Sequence, residues 1–202
     1  MNNVGYVIFD LDGTIIDSFE SACKSLSLTL ESLSLPIPSN DFYEPFRDKE
    51  LSALFRATYA HSGTTLPWKA FKSTFDEVYS HHCMEGIQVI PLGNQIIELC
   101  RSKHIKMVVL TNKIQLAADI VCTSLFPVRT FASIIGRNGV RPIKPFKYAI
   151  NKLIKKGFSV ESCKAYFGDS PTDAKLAALM NVKYYDIHQL DEKRIQNICH
   201  DF

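Results

Sequence analysis

The chain has 202 residues, 46% of them hydrophobic and 22% charged, which excludes a disordered, collagen-like or low-complexity protein. That length suits one large domain, or a medium domain carrying a smaller one. With 23 basic and 21 acidic residues the net charge is only +2, so no nucleic-acid partner is expected.

The first apolar run, Tyr6 to Phe9, stops at Asp10, and no basic leader precedes it. The opening segment is therefore expected to be neither signal peptide nor membrane span. No stretch elsewhere is long and apolar enough for a membrane helix. Short apolar runs at 5–9, 106–110, 131–135, 164–167 and 182–187 read as buried parallel strands, because they lack period-2 alternation. Helical spacing at 93–102, 114–125 and 146–155 alternates with them, which predicts a doubly wound α/β sheet covered on both faces.

Between the first two strands the pattern is helical throughout. Phe19, Ala22, Cys23, Leu26, Leu30 and Leu33 keep helical spacing, and Leu51, Leu54, Phe55 and Ala57 suggest a second helix. Pro67 is expected at the first position of a third, before Phe71, Phe75 and Val78. Ordinary βα connections have only about 2–6 residues. The expected organisation is an α/β core of 1–16 and 87–202 with a small helical subdomain, 17–86, inserted in it. The six cysteines are scattered without a C-x-x-C pair. Reduced thiols in a cytoplasmic protein are expected, without a structural zinc site.

The chemistry lies where strands end. Tyr6–Phe9 delivers Asp10 and Asp12 to its C-terminal end, followed by Gly13 and Thr14. Ligand sites of open parallel sheets lie at such ends. Paired carboxylates there repel unless a proton or cation intervenes, and Mg²⁺ typically needs only one or two protein carboxylates. A second acidic cluster, Asp169 to Asp173, follows the 164–167 strand and opens a helix. Helix capping by Asp169 or Ser170, with Asp173 as a first-turn charge, accounts for either residue alone. It leaves unexplained why two strands end in the same acidic chemistry. Thr111 and Asn112 end the 106–110 strand, where capping is again an alternative, and Lys144-Pro145 follows a loop with Gly139 and Pro142.

Together these four segments resemble the haloacid dehalogenase superfamily of phosphohydrolases, in the right order and across essentially the whole chain. Val7 to Thr14 matches hhhDxDGT, Thr111 the second motif, Lys144-Pro145 the third, and Gly168-Asp169 through Asp173 the GDxxxD of the fourth. The helical insertion after the first motif is similar to the cap of the phosphoglycolate phosphatase and β-phosphoglucomutase-like branch. The resemblance implies that Asp10 is the nucleophile and forms an aspartyl-phosphate. It makes Asp12 the acid and base. Thr111, Asn112 and Lys144 would bind the phosphoryl group. Mg²⁺ would be held by Asp10, the main-chain carbonyl of Asp12 and Asp169, with Asp173 ligating or orienting a metal-bound water. Asp12 argues against halide displacement and against a transport-ATPase role. Four stretches depart from the branch: Phe46-Arg47-Asp48 in place of a glycine-rich turn, Pro91-Leu92-Gly93, Lys144-Pro145-Phe146-Lys147, and Met180-Asn181 in place of Ala-Gly.

The substrate implied is a small phosphorylated metabolite, phosphoglycolate first. A phosphomutase of the β-phosphoglucomutase type is the alternative, and a non-catalytic binding protein on the same fold a third. Substrate selection is expected in the cap loop around 42–51. There Arg47 or Lys49 would bind a substrate carboxylate or second phosphate, against the alternative of a solvated helix face. His81-His82 reads as a surface pair rather than metal ligands, and Trp68 as packing between cap and core. A monomer or small homo-oligomer is expected.

Overall fold

The computed structural model describes residues 5–47 and 49–200, the last two without their side chains. Residues 1–4, part of the opening segment, lie outside the described residues, as do Asp48 of the 42–51 loop and the Cys199 side chain. The chain divides into two compact units, Met1–Asp17 with Gln88–Phe202, and Ser18–Ile87.

The first unit is built on five parallel strands: β1 (Tyr6–Phe9), β4 (Lys106–Ile114), β5 (Ser133–Arg137), β6 (Cys163–Gly168) and β7 (Tyr184–Asp186). Their order is β5-β4-β1-β6-β7, a doubly wound, Rossmann-like arrangement with β1 at the centre. Every residue of β1 is buried, as a strand covered on both faces requires. Strand alternation sorts the core into two layers. Tyr6, Ile8, Val108, Leu110 and Tyr166 pack with Leu153, Leu176 and Met180, while Phe9 stacks on Phe167 at 5.1 Å and Phe167 on Tyr185 at 5.4 Å.

Helices α4 (Pro91–Ser102), α5 (Gln115–Leu125), α6 (Lys147–Lys155) and α7 (Pro171–Met180) alternate with the strands, and α8 (Glu192–His200) follows them. Two differences from the sequence expectation bear on the site. Strand β4 runs on past Leu110 to Ile114, with a register irregularity between those residues, so Thr111, Asn112 and Lys113 are strand residues. Strand β5 begins at Ser133 rather than at Phe131. Helix α7 is closed by Asn181 as its C-cap, whose φ of +54° is left-handed. Asparagine tolerates that conformation better than most residues, which accounts for Met180-Asn181 where the branch commonly has glycine.

A two-stranded antiparallel ribbon, β2 (Ile16–Asp17) with β3 (Gln88–Val89), stands where the chain leaves and re-enters this unit. The second unit holds α1 (Phe19–Ser32), α2 (Leu51–His61) and α3 (Trp68–His82), with short 3-10 turns at Asn40–Phe42 and Glu44–Phe46. Phe19, Ala22, Leu26 and Leu30 of α1 and Phe71, Phe75 and Tyr79 of α3 form its core. Pro67 is the N-cap of α3, one position before the one expected. The ring contacts of Trp68 are to Tyr59 and Phe71 of the same unit, at 5.2 and 6.1 Å. No helix among the described residues is long and apolar enough to cross a membrane. The five described cysteines form no disulfide with one another.

Candidate active site

The turn after β1 is wound on one carbonyl. Leu11 O accepts from both Ile15 N and Ile16 N at 3.1 Å, and the buried Leu11 side chain anchors the turn. Gly13 sits in it at φ +79°, where a Cβ would run into the Asp169 carboxylate. Only glycine combines that backbone with that approach. The turn thus carries Asp10 and Asp12 outward, while Asp10 N donates to Phe167 O at 2.8 Å and ties β1 to β6.

Asp169 and Asp173 come from the end of β6 and the first turn of α7. Ser170 is the α7 N-cap, its hydroxyl accepting from Asp173 N at 3.3 Å. The capping account therefore holds for Ser170, and it also aims Asp173 inward. Gly168 leaves room for it, since a Cβ there would lie 2.7 Å from that of Asp173. One carboxylate oxygen from each of Asp10, Asp169 and Asp173 falls within 4.8 Å of the others, a cluster able to hold a metal ion.

Lys144, 3% exposed, lies among them. Its ammonium is 2.7 Å from Asp10 Oδ1 and 2.5 Å from Asp173 Oδ1. Asp173 also accepts from the Tyr166 hydroxyl at 2.9 Å and from the Ser170 hydroxyl at 2.5 Å, so both its oxygens meet protein donors. The electrostatics follow. Burial, then the Asp173 charge, holds the Asp10 carboxyl well above the usual carboxylate range, against the pull of Lys144. Burial and Asp173 push Asp169 up to about 6. For Asp173 burial acts upward too, but Lys144 and the Ser170 and Tyr166 hydroxyls outweigh it and lower the group. Burial opposes the Lys144 charge, but Asp10 and Asp173 outweigh that effect and hold it above its ordinary value. Three crowded carboxylates with a single ammonium on two of them make a donor set that fits a hard divalent cation.

Thr111 is buried in the irregular stretch of β4, its hydroxyl accepting from Lys113 N at 3.1 Å. Helix α5 begins only at Gln115, with Ile114 as N-cap, so Thr111 and Asn112 do not cap it. Asn112 faces the Lys144 loop. Its Oδ1 accepts from Ile143 N and Lys144 N, both at 2.9 Å, and its Nδ2 donates to Lys144 O at 3.3 Å. The amide of Asn112, expected to bind substrate, here holds the backbone that presents Lys144. Sequence reasoning assigned no role to Lys113, whose buried ammonium donates to Asp12 Oδ1 at 2.5 Å. The available signal was its spacing, two residues beyond Thr111 in an extended segment.

In the helical unit, Arg47 is engaged by acidic neighbours. Its guanidinium bonds Glu20 at 2.6 Å and Glu44 at 3.2 Å and lies over the Phe19 ring at 4.5 Å. The Lys49 ammonium lies 5.3 Å from the centre of the Phe46 ring. His82 pairs with Glu85 at 2.6 Å.

Residues 7–187 match the family model of haloacid dehalogenase-like hydrolases, and the chain belongs to that family of hydrolases. No curated protein sequence matches it significantly. Its fold is similar to a predicted phosphoglycolate phosphatase from Haemophilus somnus 129PT (TM-score 0.71, 20% identity, 97% of this chain and 92% of that one). It is likewise similar to a candidate β-phosphoglucomutase from Thermotoga maritima (0.63, 19%, 96% and 91%). A third similar structure is CbbY from Rhodobacter sphaeroides, solved with phosphate (0.67, 17%, 90% and 84%).

Proposed function

We propose that this hydrolase is a Mg²⁺-dependent phosphatase of a small phosphorylated metabolite, phosphoglycolate being the first candidate, and that the phosphoryl group passes through Asp10. The observation that carries the reading is the Lys144 ammonium held 2.7 Å from Asp10 inside a three-carboxylate cluster. A buried carboxylate crowded by others is a poor structural device. It is a good nucleophile once cations on either side neutralise its neighbours and the incoming phosphate.

Asp10, Asp169 and the Asp12 main-chain carbonyl would hold the metal. Asp173, both oxygens met by protein donors, would orient Lys144 and a nearby water. The cation would supply charge neutralisation for the carboxylates and the phosphoryl oxygens. Asp10 attacks phosphorus, forming a P–O bond as the bond to the leaving oxygen breaks, and Asp12 gives that oxygen its proton. Asp12 then takes a proton from the water that attacks the aspartyl-phosphate, releasing phosphate and regenerating Asp10. The Thr111 hydroxyl, already accepting from Lys113 N, donates its hydrogen to a phosphoryl oxygen. Lys144 holds Asp10 in place and offsets its charge. The helical unit, 18–87, is the cap of this reading and selects among small esters. We place the enzyme in the cytoplasm as a monomer or small homo-oligomer.

The test is a panel of phosphate esters, including phosphoglycolate, sugar phosphates and nucleotides, assayed with Mg²⁺ and with chelator. Hydrolysis should require the metal, and Asp10→Asn should abolish it while leaving the fold intact. Undiminished turnover by Asp10→Asn, or chelator-resistant hydrolysis, would overturn the reading. Transfer of phosphate to a second sugar hydroxyl instead of water would identify the mutase.

A further inference from the structure

The ion pair between Lys113 and Asp12 has no part in the reaction as set out above. Strand β4 runs parallel beside β1, and Asp12 lies just beyond the end of β1. The irregular stretch of β4 after Leu110 carries Thr111 and then Lys113 toward that end, and both are buried. The Lys113 side chain is 3% exposed, and its ammonium is 2.5 Å from Asp12 Oδ1. Burying a lysine costs both solvation and side-chain freedom, and only a well-placed partner offsets that cost. That partner is a carboxylate 101 positions away in sequence.

The second lysine of the site has a different target, since Lys144 serves Asp10 and Asp173. The two ammonium groups are thus divided between the two carboxylates of the first motif. A substrate anion is a poorer candidate for Lys113, because the ammonium is buried and directed at a protein carboxylate.

We propose that Lys113 is a positioning residue for proton transfer, fixing the Asp12 carboxylate where it meets the leaving oxygen and later the attacking water. The inference rests on the phosphatase reading. An aspartate side chain turns about two bonds, and misplacing a catalytic group by about 1 Å can cost on the order of 100-fold in rate. An ammonium anchored to β4 removes that freedom.

The effect should depend on how much the leaving group needs a proton. The value of kcat/KM reports the steps up to phosphoryl transfer onto Asp10, so it isolates the acid role of Asp12. Lys113→Met should lower kcat/KM by about 10–100-fold for an alkyl phosphate. For 2,4-dinitrophenyl phosphate, whose leaving group departs without a proton, the loss should be less than about threefold. Lys113→Arg, which keeps the cation, should recover most of the alkyl rate. In an Asp12→Asn background, adding Lys113→Met should change kcat/KM by less than about twofold, because the group it positions is gone. Should Lys113→Met fail to fold, Lys113→Gln carries the leaving-group comparison, and the double variant, which removes both charges, is compared with Asp12→Asn. A loss that is uniform along the leaving-group series, or one that persists in the Asp12→Asn background, overturns this inference alone. A wild-type protein inactive on every ester overturns the phosphatase reading and this inference with it.

Discussion

Replacing Asp169 by asparagine should stabilise the metal-free protein while destroying its activity. Burial and the Asp173 charge raise the Asp169 carboxyl from 3.8 to about 6. The folded protein therefore holds this proton more tightly than the unfolded chain does. The group favours folding below about pH 4, and that contribution is lost as pH rises through about 6. A shift of about two units, at about 1.4 kcal/mol each, makes the ionised side chain cost about 3 kcal/mol at neutral pH. Asparagine keeps the shape and an acceptor for the Thr14 hydroxyl, which lies 3.4 Å from Asp169 Oδ1, but carries no charge. Thermal unfolding in chelator, from pH 4 to 8, should show the two proteins equal at the acid end. At pH 7 the variant should melt ~6–12 °C higher for a chain of this size. Added Mg²⁺ should raise the melting temperature of the wild type and close the gap from below, since a ligand that binds only the folded state stabilises it. The variant, short of one carboxylate, should respond little. A variant no more stable than wild type at pH 7, or a difference that does not change between pH 4 and 7, would refute the reasoning.

Removing the cation should act in the opposite direction. Lys144→Met strands Asp10 and Asp173 in a buried site and should cost about 3–5 kcal/mol, read as a large drop in melting temperature together with loss of turnover. In the helical unit, Arg47→Ala should cost no more than about 1 kcal/mol, because its pairs with Glu20 and Glu44 are exposed. Steady-state kinetics on anionic small esters against a generic aryl phosphate should show that Arg47→Ala and Lys49→Ala alter discrimination more than they alter aryl phosphate hydrolysis. Equal loss on every ester would make the loop structural.

The strands and helices of the α/β unit are legible because each is an apolar run or a periodic face. The carboxylates at the strand ends are legible because charge interrupts such runs. The end of β4 is not. An apolar-run reading stops at the first polar residue, so Thr111, Asn112 and Lys113 look like the beginning of a loop, although the backbone stays extended to pair Ile114 with Arg137. Spacing puts Lys113 on the face of Thr111, but its burial depends on Asp12, beyond the end of another strand. Asn112 illustrates a different gap. Its position beside Thr111 suggests ligand binding, and only the fold shows that the Ile143 and Lys144 amides also converge on it. Arg47 stood out as a loop charge, but one of its carboxylate partners, Glu20, lies on α1, beyond the reach of any local pattern. The β2–β3 ribbon, two residues per strand, is too short for a period to register at all.

That ribbon has an architectural consequence. Asp17 faces Gln88 and Ile16 faces Val89, so the outgoing and returning chains meet as the two arms of a hairpin. For the sheet, everything between 17 and 88 occupies the place of a hairpin loop, a position where two residues would suffice geometrically. Closing a loop costs only logarithmically more as it lengthens, so a whole folded body can sit there with little penalty to the sheet. An insertion so placed is exchangeable: its size and helix packing can change without re-registering any strand of the five-stranded sheet.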